Sequence, residues 1–479
     1  MTTATDTRSV AIIGAGISGL AAAYDLDRLA RDAGVAIEMS ILEASQRAGG
    51  VIETVRRDDL TMELGPDSIV IDKPWGIELC REIGLDDSVI PTRQSGGGSF
   101  IARGTELMPV PDGFHLMAPS RLTPFAMSRL ISPAGKLRMA ADLLIPRKQG
   151  DTDESLADFV RRRLGTEALE RIAQPMVGGI YTADPEKLSL KATMPRFIEM
   201  EQRHGSLIRA MVSGRRSNPT PRDTRGPRYD LFIALRDGLG ELPGRLVELL
   251  PDSALELGTR VARVSRNASR WRIETTEGRV LDVDGICVAA PAHAAAKMLD
   301  DVSATLSEEL AAIEYASSAT VNLVFERNDV GSELDGFGFV VPAIEGRTIL
   351  ACTFSSRKYE GRSDDRTTLL RAFVGGALAP ANVDLDDDAM TAAILADLRD
   401  LLAIRAKPRE VLITRWRSSM PQYHVGHLAR VDRIEREVAG LDGLALAGNA
   451  YRGTGIPDCI RSGRAAASDL LTYLRAPRP

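Results

Sequence analysis

The stretch Gly14-Ala15-Gly16-Ile17-Ser18-Gly19 sets three glycines at the spacing that lets a backbone close around a phosphate. It lies between an apolar run, Val10 to Ile13, and an Ala- and Leu-rich run, Leu20 to Ala33, which predict a strand and a helix. In that setting Gly14 permits a tight turn, Gly16 admits a pyrophosphate close to the main chain, and Gly19 lets helix and strand pack. The helix N-terminus turns free N–H groups and the positive end of its dipole toward the same point. Glu43 follows a second predicted strand, Ile37 to Leu42, where a carboxylate accepts hydrogen bonds from ribose hydroxyls. An acid there repels a 2′-phosphate, so the chemistry suits FAD or NAD rather than NADP.

Further glycine turns sharpen this to FAD. Arg47-Ala48-Gly49-Gly50 comes directly after Glu43 and offers a second close approach to the same pyrophosphate. Gly65-Pro66-Asp67-Ser68 adds another tight turn. Near the far end, Gly448 to Asp458 joins a strand to the last helix and holds Gly453, Thr454, Gly455 and Ile456. A glycine-lined loop at a helix N-terminus can meet a flavin ring, and the dipole stabilises the negative charge that reduction leaves near N1. Each turn alone is also an ordinary turn; their order and spacing after the first motif carry the reading. No acid–base residue stands out, so no catalytic side chain is assigned. His424 and His427 have H-x-x-H spacing, but Pro421 and Gly426 argue against a helix there, and no metal site is expected.

Elements must hold these turns in place. The chain has 479 residues, enough for two or three domains, with 44% hydrophobic and 26% charged residues. A net charge of -6 argues against a nucleic-acid partner. The four cysteines, Cys80, Cys287, Cys352 and Cys459, are far apart, which fits a reducing compartment with neither disulfide framework nor zinc. Met1 to Ser9 lacks the apolar core of a signal peptide, and no run approaches the roughly 20 apolar residues of a spanning helix. Residues 93 to 177 read as helical pieces cut by prolines, and Leu231 to Leu250 as a helix. Residues 213 to 228, with five arginines, read as a mobile surface loop. Strands are expected at Arg260–Val264, Trp271–Thr275, Gly285–Ala289, Thr320–Phe325, Phe337–Val341, Thr348–Cys352, Leu369–Val374 and Leu444–Gly448. Helices are expected near 388 to 403 and over Asp458 to Leu474.

These pieces, in this order, resemble the flavin amine oxidase superfamily, and further segments resemble its oxygen-dependent porphyrinogen oxidases. The segments are Gln174 to Ser189, Gly336 to Pro342, Pro421 to His427, and Gly448 through Ile460. The similarity runs from about Val10 to Leu471. It implies an α/β (mixed α+β) fold: a Rossmann-like FAD/NAD(P)-binding domain, an inserted substrate-binding α+β domain, and a helical lid or membrane-facing segment. The implied boundaries are 1–92, 229–300 and 411–479 for the cofactor domain, 93–116, 178–228 and 301–410 for the substrate domain, and 117–177 for the helical segment.

The resemblance implies non-covalent FAD held by Gly14, Ala15, Gly16, Ile17, Ser18, Gly19, Glu43, Ala44, Arg47, Gly50, Val51, Gly65, Pro66, Asp67, Ser68, Val261, Trp416, Thr454, Gly455 and Ile456. Phe337, Val340 and Leu350 would line an apolar slot for a macrocycle, with Gly178 and Gly179 allowing close backbone approach. The implied partners are a porphyrinogen and molecular oxygen, in a cytoplasmic protein with at most peripheral membrane contact; a homodimer is compatible with this. The reaction would be six-electron aromatisation with release of hydrogen peroxide. Substrate choice turns on Lys73, at a position where soluble coproporphyrinogen-type relatives carry lysine, and on Ser99, where mitochondrial-type relatives place an arginine near the channel. A cation could pair with a propionate, of which coproporphyrinogen III has four and protoporphyrinogen IX two. The alternatives are another flavin oxidase or desaturase acting on an amine or a polyene, and a non-catalytic flavoprotein scaffold.

Overall fold

The computed structural model describes residues 7–93, 98–111, 114–115, 118–119, 122–217, 232–330 and 334–476. Arg8–Ile13 and Gly285–Val288 carry apolar runs buried on both faces, as central strands of a parallel sheet must be. They sit in a five-stranded parallel sheet in the order Leu255–Glu256, Ile37–Leu42, Arg8–Ile13, Gly285–Val288, Leu444–Leu446. The chain leaves Arg8–Ile13 toward one side and returns on its other side at Gly285–Val288. A crevice therefore opens at the carboxyl end of Arg8–Ile13, where Gly14 begins.

Helices Ile17–Ala33 and Ile456–Leu474 pack side by side on this sheet. Gly463 makes the approach possible, because any Cβ there would collide with the Ser18 carbonyl. Both N-termini thus face the same crevice. The hairpin expected over 260–275 is present and gains a third strand, Val280–Val283.

A second, seven-stranded sheet runs in the order Glu410–Pro421, Tyr315–Glu326, Thr367–Gly375, Ile349–Phe354, Gly338–Val340, Ser99–Arg103, Glu106–Pro109. Met390, Ile394 and Leu398 of helix Asp387–Leu402 share a buried core with Val321, Leu323 and Phe325 of the sheet. Glu410–Pro421 pairs along Tyr315–Glu326, so this stretch belongs to the second sheet.

A third body consists of helices from Leu122–Met127 through Leu207–Ser217, around Phe159, Ile172, Leu190, Phe197 and Leu207. Its helical core thus runs past 177. At its centre Arg163 is fully buried and pairs with the equally buried Asp142. Asp142 also accepts hydrogen bonds from Ser206 and from the Ile208 N–H.

Two helical expectations are corrected. Residues 93 to 177 begin with a β-hairpin, Ser99–Arg103 and Glu106–Pro109, turned by Gly104 at a φ of 61°. Its two strands are too short for their alternation to stand out. Within Leu231 to Leu250, Phe232–Leu235 is a strand and only Glu241–Leu249 is helical; Gly238, at a φ of 102°, breaks the two apart. Of the loop expected at 213 to 228, residues through Ser217 continue a helix, and 218 to 228 lie outside the described residues.

Candidate cofactor and substrate site

Gly14 adopts a φ of 104°, and a Cβ there would stand 2.8 Å from the Ala289 carbonyl oxygen. A Cβ on Gly19 would meet the Gly14 carbonyl. Both glycines are therefore demanded by the turn itself. Gly16 is different. Its backbone is extended (φ -70°, ψ 174°), which any residue adopts, and the nearest atom to its would-be Cβ is the Gly50 Cα at 4.0 Å. The open space lies on the Gly16 side: Gly16 bridges to Gly49, whose N–H donates to the Ala15 carbonyl at 2.8 Å, but a Cβ on Gly49 would stand 2.7 Å from the Ile52 carbonyl oxygen.

Glu43 reaches this turn from the end of Ile37–Leu42. One carboxylate oxygen accepts from the Ala15 N–H at 2.7 Å and the other from the Ser45 N–H at 2.8 Å. The guanidinium of Arg47 donates to the carbonyls of Ala48, Gly50 and Ile52 and pairs with Glu53 at 2.8 Å, so it shapes the second glycine turn. Val51 is exposed beside it, and its carbonyl leaves no room for a side chain on Gly65. Ala44 lies between Glu43 and Ser45. The Thr259 N–H donates to the Glu43 carbonyl, placing buried Val261 just beyond it.

The turn Gly65 to Ser68 is backed by charges that sequence reasoning missed. Lys358 donates to both Asp67 carboxylate oxygens at 2.9 Å and to the Ser68 hydroxyl at 2.8 Å. The Tyr359 hydroxyl also donates to Ser68, and Arg371 stands 3.7 Å from Asp67. Burial opposes the charge on Asp67, but Lys358 and Arg371 outweigh it and hold the carboxyl well below the usual carboxylate range. Burial also draws the Lys358 ammonium below its ordinary value, against the pull of Asp67. Trp416 Nε1 donates to the Leu64 carbonyl at 2.8 Å and its ring covers Gly65. Nothing local in Ser355-Ser356-Arg357-Lys358-Tyr359 signals this role; only strand pairing brings it to residue 67.

The C-terminal loop is held from outside. The Tyr423 hydroxyl donates to the Asn449 carbonyl at 2.6 Å and accepts from the Gly453 N–H at 2.9 Å, tying both limbs together. His427 stacks on Tyr423 with ring centres 3.8 Å apart, and its Nε2–H donates to the Tyr451 carbonyl at 2.8 Å. Burial pushes its imidazole down to about 4, so the ring is neutral. His427 is thus a structural clamp, and it opens a helix after Gly426. Thr454, Gly455 and Ile456 lead into the last helix, whose first turn contains buried Asp458. Lys73 donates to Asp458 at 2.6 Å, so its charge is already neutralised within the protein.

Across from this loop, Gly178 and Gly179 lie in helix Gln174–Tyr181, which packs on Gly338–Val340 and Ile349–Phe354. A Cβ on Gly179 would touch Val340 at 3.5 Å, and one on Gly376 would touch both the Thr182 carbonyl and Leu350. Val340 therefore faces Gly179, and Leu350 lies near the Thr182 carbonyl just past the same helix. Ser99 and Phe337 sit on the neighbouring strand and turn, with Ser99 in register with Gly338. Phe337 is buried against the sheet.

The sequence pattern of the flavin-containing amine oxidoreductases matches residues 17–471. The chain is 36% identical to the coproporphyrinogen III oxidase of Bacillus subtilis over 98% of both chains. It is 30% identical to the chloroplastic protoporphyrinogen oxidase of Nicotiana tabacum, over 97% of this chain and 85% of that one. A crystal structure from Exiguobacterium sp. 255-15, provisionally described as a protoporphyrinogen oxidase, superposes with a TM-score of 0.85 at 33% identity, covering 97% of this chain and 98% of the other.

The chain belongs to the flavin-containing amine oxidoreductase family. Its cofactor is FAD, and the turn around Gly16 fits one: two facing glycines, a helix N-terminus and an acid at the end of the second strand. All four thiols of this flavin oxidoreductase are buried, and burial pushes each up to about 12.

Proposed function

We propose that this protein is an FAD-dependent porphyrinogen oxidase of haem biosynthesis, with coproporphyrinogen III as its preferred substrate. The observation that carries the reading is the end-to-end match, 98% of both chains, to a coproporphyrinogen III oxidase. The balanced reaction is coproporphyrinogen III plus three oxygen molecules giving coproporphyrin III plus three hydrogen peroxide molecules. When bound, FAD accepts two electrons per cycle and returns them to oxygen.

The residues of this chain supply position and shelter. The turn at Gly14 to Gly19, Glu43 and the Gly49–Gly50 turn hold the dinucleotide end. Gly65 to Ser68, Trp416 and the Thr454 to Ile456 loop would border the ring, where the N-terminus of Ile456–Leu474 would favour its negative charge on reduction. Gly178 and Gly179 allow the macrocycle close to the backbone, while Phe337, Val340 and Leu350 exclude water from its faces. An electron-rich pyrrole ring needs placement more than a strong base, which agrees with the lack of an assigned catalytic side chain.

The test compares kcat/KM for coproporphyrinogen III, protoporphyrinogen IX, benzylamine and phytoene, with peroxide as readout. Turnover of coproporphyrinogen III with three peroxides per porphyrin is the expected result. Efficient oxidation of the amine or the polyene alone would overturn the reading, and a yellow protein that turns over none of them would make it a flavoprotein scaffold.

A further inference from the structure

Arg196, the second residue of helix Pro195–His204, is a cation that the fold does not use. It is partly exposed, its guanidinium carbon lies 4.9 Å from the Phe197 ring centre, and among the described residues it makes no hydrogen bond or ion pair. The neighbouring cations are spoken for: Lys73 pairs with Asp458, and Arg461 donates to the Arg452 carbonyl. The groups that face Arg196 are Asp72, itself exposed and beyond ion-pair distance, and the Tyr181 hydroxyl. That hydroxyl is anchored on the Thr193 carbonyl at 3.3 Å, three residues before Arg196. Surrounding protein removes enough water to draw the guanidinium below its ordinary value.

The location gives this unused charge a meaning. Tyr181 ends the helix that carries Gly178 and Gly179, and the Gln422 side chain holds the Tyr181 carbonyl. Arg196 therefore stands beside the end of the helix whose Gly179 faces Val340, and near the Ile71 to Lys73 segment. An acidic arm of a flat apolar ligand seated there would emerge toward Arg196. A guanidinium with all its donors free binds a carboxylate by two parallel hydrogen bonds, and partial desolvation strengthens them.

We propose that Arg196 is a carboxylate-binding residue that reads one propionate arm of the macrocyclic substrate. This rests on the porphyrinogen reading and adds to it a specificity determinant separate from Lys73. Because Arg196 makes no bond within the fold, its replacement leaves the protein folded and FAD-loaded.

The experiment titrates FAD-loaded wild type, Arg196→Gln, Arg196→Lys and Asp72→Asn with coproporphyrin III and with its tetramethyl ester, followed by porphyrin fluorescence. Arg196→Gln is expected to weaken binding of the acid about tenfold and leave the ester unchanged. Arg196→Lys recovers part of the loss, and Asp72→Asn binds the acid as well as wild type or better. Equal affinity of wild type and Arg196→Gln for the acid, or an equal loss for the ester, overturns the proposal. If wild type oxidises the porphyrinogen while Arg196→Gln binds like it, this inference alone falls. If wild type neither binds nor oxidises any porphyrin, the functional reading falls with it.

Discussion

Gly16 separates a ligand's demand from the fold's. Gly14 and Gly19 cannot accept a side chain because neighbouring backbone occupies the space, whereas Gly16 has ordinary dihedrals and open surroundings. Gly16→Val is therefore expected to fold, with unchanged far-ultraviolet circular dichroism, yet to lose its yellow colour on purification. Full flavin retention would remove the pyrophosphate from this place. His427 shows a different kind of single-residue control. In the unfolded chain its imidazole takes a proton near 6.5, but in the fold burial holds it neutral down to about 4. Between those values the unfolded state binds more protons, so stability falls as the pH drops from 6.5 toward 4. The slope from this group is at most about 1.4 kcal/mol per pH unit. Urea unfolding of wild type and His427→Gln across that window should differ in slope, the variant being flatter; parallel curves would mean the ring is protonated in the fold. The glycines were legible in the sequence because their spacing carries the chemistry directly. Lys358, Tyr423 and Arg196 were not, because each acts on a residue more than ten positions away in the chain or on nothing within it, and only the fold reveals which.

Elements explain why the two ends of the chain make one site. Ile17–Ala33 and Ile456–Leu474 bring the dinucleotide turn and the C-terminal loop to a single crevice, and Gly463 against the Ser18 carbonyl sets their separation. Gly463→Val must push the helices apart, an overpacking that costs about 1–3 kcal/mol. A lowered Tm together with a raised FAD Kd is expected; a lowered Tm with unchanged FAD affinity would show that the two helices do not share the cofactor. In the helical body, Asp142→Ala leaves the fully buried Arg163 only the Glu201 carboxylate, 3.4 Å away, and unpairs Ser206 and the Ile208 N–H, at a cost of about 3 kcal/mol. Proteolysis confined to residues 122–217 would locate that loss, and an unchanged Tm would refute it. The sequence revealed most long elements, because apolar periodicity declares a helix such as Asp387–Leu402 and alternation a strand such as Tyr315–Glu326. It concealed Ser99–Arg103 and Phe232–Leu235, whose few residues take their pairing from strands far along the chain.

At the scale of the molecule, the question is whether the helical body meets a membrane. No helix among the described residues is long and apolar enough to cross one. The stretch from 113 to 146 mixes apolar and basic residues, a composition suited to a headgroup surface. The structure divides that composition. Phe125, Leu130 and Ile131 are buried in the body's own core, while Met127, Leu137 and Leu144 are 80%, 75% and 85% exposed. The side chains of Phe114, Leu116, Met117 and Arg121 lie outside the described residues. The cations are partly consumed as well: Lys136 donates to the Ala126 and Ser128 carbonyls, and Arg138 to those of Arg161, Arg162 and Arg163. Among the described residues, a few exposed apolar side chains with few free charges give weak attachment, since stable anchoring needs a larger buried face or a free basic cluster. The protein is expected in the supernatant after lysis and high-speed centrifugation, with flotation on anionic vesicles slight and abolished by salt. The triple change of Met127, Leu137 and Leu144 to Ser should leave that distribution and the peroxide yield as they are. Recovery only after detergent extraction of membranes, reversed by the triple change, would show that these side chains are an anchor.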